Sequence, residues 1–429
     1  MLLSGLSLFA VQPAPRPGVA DEPAVVLTHG PMLGAPTDTT IKIWARSSGS
    51  GRLCVEVKPI DQFWPGRVFG ATRLDLTADF TGFVTVNGLM PEFTYEYRLI
   101  LNGIGLGGGS FRTLPAAGQP GTFRFALGGD LDERFAPFTI LDRVREQQPA
   151  FEILLGDLVY ADSPTAIPPT VEAYRTKYRT NWSDGAFRRL TARVPSFVMW
   201  DDHEIVNDYD GGDEVRYQAA RMALEEYGAW ANPPSRRDGA LYYAFQVADV
   251  SFFVLDTRSY RDRNARLDGD GKTMLGAQQK TDLQQWLIES RAPFKFVLSS
   301  VPFHDLGPLR PDDWNAFATE RDELLAFIRQ QRISGVVILS GDQHWCSIVH
   351  FAEYGIWEIN TTPLAQHVRP QDRIADPRLV LTYQASTAFG IVDVDTQGKT
   401  PQLTVSVMDN MGQVQGTHTI TVETPAPPR

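Results

Sequence analysis

Residues 197–207 read FVMWDDHEIVN, an apolar run that ends abruptly in charged side chains. The apolar run predicts a buried strand. Asp201, Asp202, His203 and Glu204 follow it in succession. Three carboxylates and an imidazole are costly to bring together, because each loses hydration and the like charges repel. A bound cation removes that cost, since carboxylate oxygens and imidazole nitrogens are good metal ligands. Taken alone, the stretch is equally compatible with a solvated acidic loop.

The same alternation of strand and polar tip extends outward from this stretch. Apolar runs occur at 123–127, 151–155, 196–200, 251–255, 294–299 and 336–339. Helical patterns lie between them at 137–147, 171–182, 213–230, 278–290 and 315–330. Buried strands that alternate with helices predict an α/β fold of layered β-sheets flanked by helices. Three further runs predict antiparallel strands that close one sheet edge: 390–394, 402–408 and 417–422.

Ionisable side chains follow every one of the six predicted strands. In open α/β sheets, binding sites form beyond the carboxyl ends of the strands. The side chains at these ends are Asp130, Asp132, Asp157, Tyr160, Asp162, Asp201, Asp202, His203, Glu204, Asp256, Arg258, Tyr260, Arg261, His304, Asp342 and His344. Asp, His and Tyr without Cys suit Fe(III), Zn, Mn or Ca. Two such cations bridged by a carboxylate generate a hydroxide nucleophile and clamp a phosphoryl group.

Residues 24–115 carry a different pattern of short alternating runs parted by Gly, Pro, Asp and Ser. Predicted strands lie at 40–45, 53–57, 82–86 and 95–101. The pattern predicts a small all-β sandwich of fibronectin or immunoglobulin type. We interpret the glycine-rich run 105–110 and residues 113–115 as a linker. No cluster of ligand-type side chains falls in this segment, so we expect a scaffold or substrate-rim role.

Composition and length set the remaining bounds. A chain of 429 residues predicts two domains, at 24–115 and 120–424. The net charge of −11 argues against a generic nucleic-acid-binding surface. No run is long and apolar enough to predict a transmembrane helix.

Residues 1–23 predict a signal peptide or a disordered tail; a signal peptide would make the protein secreted or periplasmic. Cys54 and Cys346 are too few for a disulfide framework or a thiolate metal site. We expect a monomer.

Four motifs in chain order make the pattern specific. They are GDLVY at 156–160, WDDHE at 200–204, DTRSYR at 256–261 and SGDQH at 340–344. Together they resemble the PhoD-like alkaline phosphatases, which belong to the calcineurin-like metallophosphoesterases and are related to purple acid phosphatases. The N-terminal sandwich resembles the domain that precedes the catalytic one in both groups. The resemblance implies a binuclear metal-dependent phosphoesterase that hydrolyses phosphate mono- or diesters.

The resemblance implies a first cation site of four residues. Asp157 bridges the two cations, and Tyr160 binds the first of them as a phenolate, which implies Fe³⁺. His344 is a further ligand of the same cation. Asp130 stands where PhoD-like members often have Cys and purple acid phosphatases have Asp, so it is expected to complete this site.

A second cation site and two catalytic roles follow from the same resemblance. Asp202 and Asp342 stand where the wider superfamily has Asn and His. Two aspartates favour Ca²⁺ or Mg²⁺, with Zn²⁺ or Mn²⁺ as alternatives. His203 protonates the leaving group or holds the substrate phosphate. Arg258 clamps a phosphate oxygen with its planar fork.

Other residues of the motifs keep two interpretations. One group is expected to support the ligands or to lie in solvated turns: Asp132, Asp162, Asp201, Glu204, Asn207, Asp256 and His304. Asn207 and His304 keep a ligand role as the alternative. Tyr260 and Arg261 either contact substrate or pack in the core. The histidines outside the motifs are interpreted as structural: His29, His350, His367 and His418.

Two rival functions remain open from the sequence. PhoD-like proteins include phospholipase D-type phosphodiesterases, so the substrate is either a small phosphorylated compound or a phospholipid head group. A non-catalytic surface- or sugar-binding protein on the same scaffold is the rival from a different class. That rival is disfavoured because every expected ligand position holds a residue able to bind metal.

Overall fold

The computed structural model describes residues 24–60, 65–307, 310–371 and 374–422. Its strands are β1 Leu27–Gly34, β2 Ile41–Ser47, β3 Gly51–Pro59, β4 Arg67–Leu74, β5 Thr81–Val86, β6 Thr94–Leu101, β7 Ile104–Arg112, β8 Thr122–Gly128, β9 Phe151–Leu154, β10 Ser196–Val198, β11 Tyr243–Val247, β12 Val250–Val254, β13 Lys295–Ser299, β14 Val336–Ser340, β15 Cys346–Phe351, β16 Ile356–Asn360, β17 Leu379–Tyr383, β18 Ala388–Asp395, β19 Gln402–Asp409 and β20 Val414–Thr421. Its α-helices are α1 Ile140–Glu146, α2 Val171–Trp182, α3 Gly185–Thr191, α4 Glu214–Tyr227, α5 Gly276–Glu289 and α6 Ala318–Gln330. The predicted signal peptide or tail at 1–23 lies outside the described residues.

The strands form three sheets, in which the six predicted strands make two parallel sets of three. The nine-stranded sheet has the order β20-β19-β18-β8-β9-β10-β1-β2-β5, and the seven-stranded sheet has the order β11-β12-β13-β14-β16-β15-β17. Strands β8, β9 and β10 are parallel neighbours in the first. Strands β12, β13 and β14 are parallel neighbours in the second. The predicted antiparallel strands β18 to β20 close the edge beside β8.

The two large sheets pack face to face and carry helices on their outer faces. Phe125 of the nine-stranded sheet meets Phe252 and Phe296 of the other edge to face, with ring centroids 5.8 and 5.5 Å apart. All three side chains are fully buried, and each burial stabilises the fold by about 1.5–3 kcal/mol. Helices α1 to α4 pack on one sheet and α5 and α6 on the other. The predicted layers of sheet flanked by helix are therefore present.

Helix α2 shows why the helical pattern was readable. Its bounds agree with the predicted range 171–182. Thr170 caps its first turn by accepting a hydrogen bond from the backbone of Ala173. Tyr174, Tyr178 and Trp182 recur every four residues and are buried on one face. Helix α3, with seven residues, is too short to show such a period and was not predicted. None of the helices in the described ranges could cross a membrane.

The N-terminal strands divide between two sheets. Strands β4, β3, β6 and β7 form a four-stranded sheet. It packs on β1, β2 and β5 through one shared apolar core. Those three strands also extend the nine-stranded sheet, because β1 pairs in parallel with β10 at Gly34 and Ser196. The segment is thus a two-layer β structure joined to the main sheet. The fibronectin or immunoglobulin type and the two domain ranges stay predictions.

The glycine-rich run 105–110 is not a linker, as the sequence suggested, but most of strand β7. It pairs with β6, where Gly108 lies opposite Arg98. A Cβ atom at Gly108 would lie 1.9 Å from the carbonyl oxygen of Tyr97. Glycine is required there because the two backbones approach too closely for any side chain.

Candidate metal centre

The turns that follow β8, β9 and β14 hold ligand-type side chains in an unusual backbone conformation. Asp130, Asp157, Asp342 and His344 have φ angles of 61°, 55°, 62° and 61°. The left-handed region costs a residue with a side chain about 1–2 kcal/mol. Such residues concentrate at functional sites, where the surrounding structure holds them in place.

These turns come from both large sheets and touch one another. A Cβ atom at Gly341 would lie 2.9 Å from the carbonyl oxygen of Ser300 and 3.1 Å from that of Leu155. The turn after β14 is therefore pressed against the turn after β9. Without that close approach, side chains from the two sheets could not share one centre.

Asp157 is the common member of three of the four groups of described residues that could hold a cation. In each group the ligand atoms all lie within 4.8 Å of one another; the groups are Asp130, Asp157 and His344; Asp157, Asp202 and His203; Asp157, Asp201 and Asp342; and, without Asp157, Asp202, Asp208 and Asp312. The Asp157 side chain is buried. Its position agrees with that of a carboxylate shared between two neighbouring cation sites. The structure thus brings together all six residues predicted as metal ligands, and their ligand roles stay predictions.

The first part of the centre, which we call the unpaired half, consists of Asp130, Asp157, Tyr160 and His344. The hydroxyl of Tyr160 lies 3.5 Å from both Asp130 Oδ1 and Asp157 Oδ2. His344 Nδ1 donates to the carbonyl oxygen of His367 at 2.8 Å, so Nε2 is the ring nitrogen that faces the carboxylates. Nε2 lies 3.3 Å from Asp130 Oδ1.

Several atoms of the unpaired half are buried without an adequate partner. Asp130 Oδ2 and His344 Nε2 have no hydrogen-bond partner among the described residues. Burial, and next the charge of Asp202, raise the pKa of Asp157 well above its usual range. Burial and Asp157 likewise raise the pKa of Tyr160. Hard oxygen donors and an imidazole nitrogen left in this state fit a cation, which would offset the repulsion.

The second part, the paired half, already contains compensating positive charge. It consists of Asp201, Asp202, Asp312 and Asp342 with Arg258 and Arg310. Arg258 Nε lies 2.5 Å from Asp201 Oδ1, and its Nη2 lies 3.3 Å from Asp202 Oδ1 and 3.2 Å from Asp312 Oδ2. Burial opposes ionisation of Asp202, but Arg258 holds the pKa of that carboxyl well below its usual range. The predicted phosphate clamp is thus fully buried beneath carboxylates; its clamp role stays a prediction.

Sequence reasoning missed two members of the paired half. Arg310 Nη1 donates to Asp342 Oδ2 at 2.6 Å, and Arg310 Nε lies 3.6 Å from Asp312 Oδ1. Both residues lie in the long loop between β13 and α6. The available signal was weak: an Arg-Pro-Asp-Asp stretch that follows the fifth predicted strand by some ten residues.

His203 lies between the two halves. Its ring stacks on Tyr160 with centroids 4.0 Å apart, and its Nδ1 lies 2.7 Å from Asp162 Oδ1. Burial lowers the pKa of His203, but Asp202 and Asp162 outweigh it and raise the value to about 9. The imidazole is therefore held in its protonated form in a fixed orientation. Asp162 takes the supporting position that the sequence left open.

Three neighbouring side chains hold the loop of the opening motif. Glu204 accepts hydrogen bonds from the backbone of Asp157 at 3.2 Å and of Asp201 at 2.8 Å. Asp256 accepts from the indole of Trp200 at 3.0 Å and from the backbone of Arg258 at 3.1 Å. Both acids are expected supports, and both contact members of the centre through backbone N–H groups.

Other predicted candidates lie apart from the ligand cluster. His304 Nδ1 accepts from the backbone of Leu306, and its Nε2 lies 3.3 Å from Ser347 Oγ. Asp132 pairs with Arg134. The backbone of Asn207 donates a hydrogen bond to Asp162. The side chain of Tyr260 is 41% exposed, and the guanidinium of Arg261 lies over the ring of Phe317. None of them belongs to a cation-binding group within the described ranges.

The four histidines outside the motifs are mostly distant from the centre. His29 contacts the carbonyl oxygen of Arg179. His350 and His418 pack against Trp357. His367 touches the centre through its backbone carbonyl, which accepts from His344. Buried Cys346 lies next to the last motif as a small core side chain.

Two face-to-face sheets with a carboxylate, histidine and tyrosine centre at their carboxyl ends define the class of protein: a metallophosphoesterase-type scaffold. The chain belongs to the PhoD-like phosphatase family, whose model matches residues 130–417. The resemblance drawn from the four motifs is thereby confirmed.

Individual relatives agree with this family. The chain is 27% identical over 325 residues to alkaline phosphatase D of Bacillus subtilis, covering 62% of this chain and 54% of the relative. It is 25% identical over 292 residues to purple acid phosphatase 23 of Arabidopsis thaliana, covering 63% and 58%. The chain thus spans little more than half the length of these curated relatives.

Solved structures show the same fold. A structure of PhoD superposes with a TM-score of 0.77 at 21% identity, covering 91% of this chain and 88% of that one. Purple acid phosphatase PPD1 from yellow lupin superposes with a TM-score of 0.68 at 13% identity, covering 93% and 75%. The fold is therefore that of PhoD and the purple acid phosphatases.

Proposed function

We propose that the protein is a binuclear metal-dependent phosphoesterase that hydrolyses phosphate mono- or diesters. The observation that carries the proposal is the position of Asp157. Its carboxylate lies within 4.8 Å of donor atoms from both halves, namely those of Asp130 and His344 in one and of Asp201 and Asp342 in the other. A carboxylate shared in this way suits two adjacent cations. Membership of the PhoD-like phosphatase family supports the same conclusion.

The donor chemistry suggests which cation each half would take. Asp130, Tyr160 and His344 would hold the first with Asp157, and the phenol favours Fe³⁺. Asp202 and Asp342 would hold the second with Asp157, and their oxygens favour Ca²⁺, with Mg²⁺, Zn²⁺ or Mn²⁺ as alternatives. When bound, the two cations would activate a water molecule and neutralise charge on the phosphoryl group.

Residues of the chain would supply the proton for the leaving group and hold the ligand turns in position. In the metal-free protein burial opposes the protonated ring of His203, but Asp202 and Asp162 favour it. The ring faces both halves, so it could deliver a proton to the leaving oxygen. Asp162 fixes the ring through Nδ1, and this leaves Nε2 to act as the donor. Glu204 holds the backbone of Asp157 and Asp201, which keeps the ligand turns in register.

A substrate panel tests the proposal. The chelator-stripped protein is reconstituted with Fe³⁺ and Ca²⁺ and assayed on p-nitrophenyl phosphate, bis(p-nitrophenyl) phosphate and phosphatidylcholine. Hydrolysis of either nitrophenyl ester that is lost on chelation and restored by metal supports the proposal. Cleavage of phosphatidylcholine alone would favour the phospholipase D-type alternative.

A matched pair of variants makes the test specific. Asp157→Asn removes the shared charge, whereas Asp393→Asn changes a half-exposed carboxylate on β18 that pairs with Arg124 of β8. Activity should fall by at least about 1,000-fold in the first and stay unchanged in the second. Metal-loaded protein without esterase activity on any of the three substrates would overturn the proposed function.

A further inference from the structure

The predicted phosphate clamp is poorly placed to meet a substrate. The Arg258 side chain is 0% exposed. Its guanidinium contacts Asp201, Asp202 and Asp312, and a fourth contact goes to the carbonyl oxygen of Tyr209 at 3.4 Å. A phosphoryl oxygen could reach it only by displacing buried carboxylates, which would leave those charges unpaired.

A second arginine, Arg310, contacts the same group of carboxylates and is partly exposed to solvent. The Arg310 side chain is 24% exposed, while its partner Asp342 is 2% exposed. Its Nη1 carries both recorded hydrogen bonds, to Asp342 Oδ2 at 2.6 Å and to the Asp342 carbonyl oxygen at 3.1 Å. No acceptor for Nη2 is found among the described residues. One edge of the planar fork is therefore fixed, and the other is available to an anion.

A buried carboxylate, that of Asp312, helps to hold Arg310 in position. Its Nε lies 3.6 Å from Asp312 Oδ1, and Asp312 is fully buried. The second oxygen of Asp312 binds Arg258 at 3.2 Å. Asp312 thus links the buried arginine to the partly exposed one. A guanidinium held at two points loses less freedom when it binds a third group.

We propose that Arg310 is the residue that binds the non-bridging oxygens of the substrate's phosphoryl group. The proposal rests on the proposed phosphoesterase function and adds a specificity-determining contact to it. Arg310 touches Asp342, a predicted ligand of the second cation, so a phosphoryl group held at that cation lies beside the free edge of the fork. Four carboxylates face two guanidinium groups in the paired half. A cation at Asp342 would offset the excess negative charge, and the free edge of the Arg310 fork would then pair with the substrate.

The test measures phosphate binding and turnover in three variants. Arg310→Gln removes the charge, and Arg310→Lys keeps the charge but loses the fork. Arg378→Gln is the control, because Arg378 is similarly exposed at 34% but pairs with Asp305 and Asp376 instead. Each protein is loaded with metal and its metal content is measured. Binding of inorganic phosphate is then followed by calorimetry, and kcat and KM are determined for p-nitrophenyl phosphate.

In Arg310→Gln, phosphate affinity should fall on the order of 10- to 100-fold and KM should rise, at unchanged metal content. Arg310→Lys should recover part of the affinity, and Arg378→Gln should match the wild type. Unchanged phosphate affinity in Arg310→Gln would overturn the proposal, as would loss of metal, which would make Arg310 a support of Asp342. An inactive metal-loaded wild type that binds no phosphate would instead overturn the phosphoesterase function, so the two failures can be distinguished.

Discussion

The two halves of the centre solve the same electrostatic problem in opposite ways. In the unpaired half, Asp130 and Asp157 are buried, and no described arginine forms an ion pair with either of them. In the paired half, Arg258 and Arg310 bind the carboxylates directly. Buried charges are tolerated only when they are compensated. In the first half, burial opposes the ionised form of Asp130 but the charges of His344 and Arg369 favour it, whereas the pKa of Asp157 stays raised, so a cation would supply the positive charge that Asp157 lacks. In the second half two arginines supply that charge directly, although burial keeps the pKa of Asp201 raised.

This difference suggests how the centre would respond to cations. Binding in the unpaired half relieves repulsion around Asp157, so it should be tight. Binding in the paired half must share Asp202 and Asp342 with arginines, so it should be weaker and more readily exchanged. The fold would then survive the loss of the second cation better than the loss of the first.

The largest expected effect comes from removing the charge that holds the paired half together. Arg258→Ala leaves buried Asp201 and Asp202 without their arginine and Asp312 with Arg310 alone, and should lower the free energy of unfolding by about 3–5 kcal/mol. Urea unfolding of the metal-free protein measures the change. The clamp role read from the sequence predicts instead a kinetic defect in a fully stable protein.

Arg263→Ala provides the control for that variant. Arg263 lies in the same loop, but its side chain is 58% exposed, and its ion pair with Asp210 and its hydrogen bond to the Gly211 carbonyl oxygen lie at the surface. Its loss should cost no more than about 1 kcal/mol. If Arg258→Ala were as mild as Arg263→Ala, the paired half would not depend on its arginine and the comparison would fail.

A second prediction compares how the carboxylates of the two halves affect the stability of the metal-free protein. The pKa of Asp157 is raised by burial and by Asp202, so its ionised form opposes folding near neutral pH. The pKa of Asp202 is lowered, chiefly by Arg258 against the effect of burial. Its charge therefore contributes stability that is present above the unfolded pKa and lost as pH falls.

The corresponding substitutions should act with opposite signs. Asp157→Asn should leave the free energy of unfolding unchanged or raise it by about 1 kcal/mol, whereas Asp202→Asn should lower it by about 1–3 kcal/mol. Chemical unfolding in chelator near neutral pH gives both values. Equal losses in the two variants would show that the halves do not differ in this way.

The smallest expected effect concerns His203, which bridges the two halves. The protonated ring must lose its proton as pH rises, so the rate should fall through the pKa of His203. Asp162 raises that pKa, after Asp202. Asp162→Asn should therefore shift the alkaline limb of the pH–rate profile to lower pH by roughly one unit, which corresponds to about 1.4 kcal/mol. If the alkaline limb of the profile did not move, His203 would not be the general acid that Asp162 supports.

Much of the scaffold could be predicted because local patterns determined it. The strand and helix ranges around 151–155 and 171–182 follow from runs and periods within the segments themselves. The rule that sites form at strand ends then brought Asp157, Asp202 and Asp342 into one list before any contact was known. The structure brings these three together because parallel strands of two packed sheets end at one edge.

The missed features depend on contacts between distant segments. Arg310 reaches Asp342 across 32 positions of the chain, in a loop with no period to read. The burial of Arg258 depends on Asp201 and Asp312, which lie 57 and 54 positions away. Arginine side chains are usually exposed, and they are buried only when tertiary contacts supply ion-pair partners, which the sequence does not reveal. The pairing of β1 with β10 was hidden for the same reason.

Metal content per chain tests the central claim most directly. The claim is that Asp157 serves two adjacent cation sites, one in each half. After equilibration with Fe³⁺ and Ca²⁺ and removal of free metal, elemental analysis should find about two cations in the wild type. Asp157→Asn should lose most of both, and Asp202→Asn should lose only the second. An Asp157→Asn variant that retained the full metal content of the wild type would contradict the account.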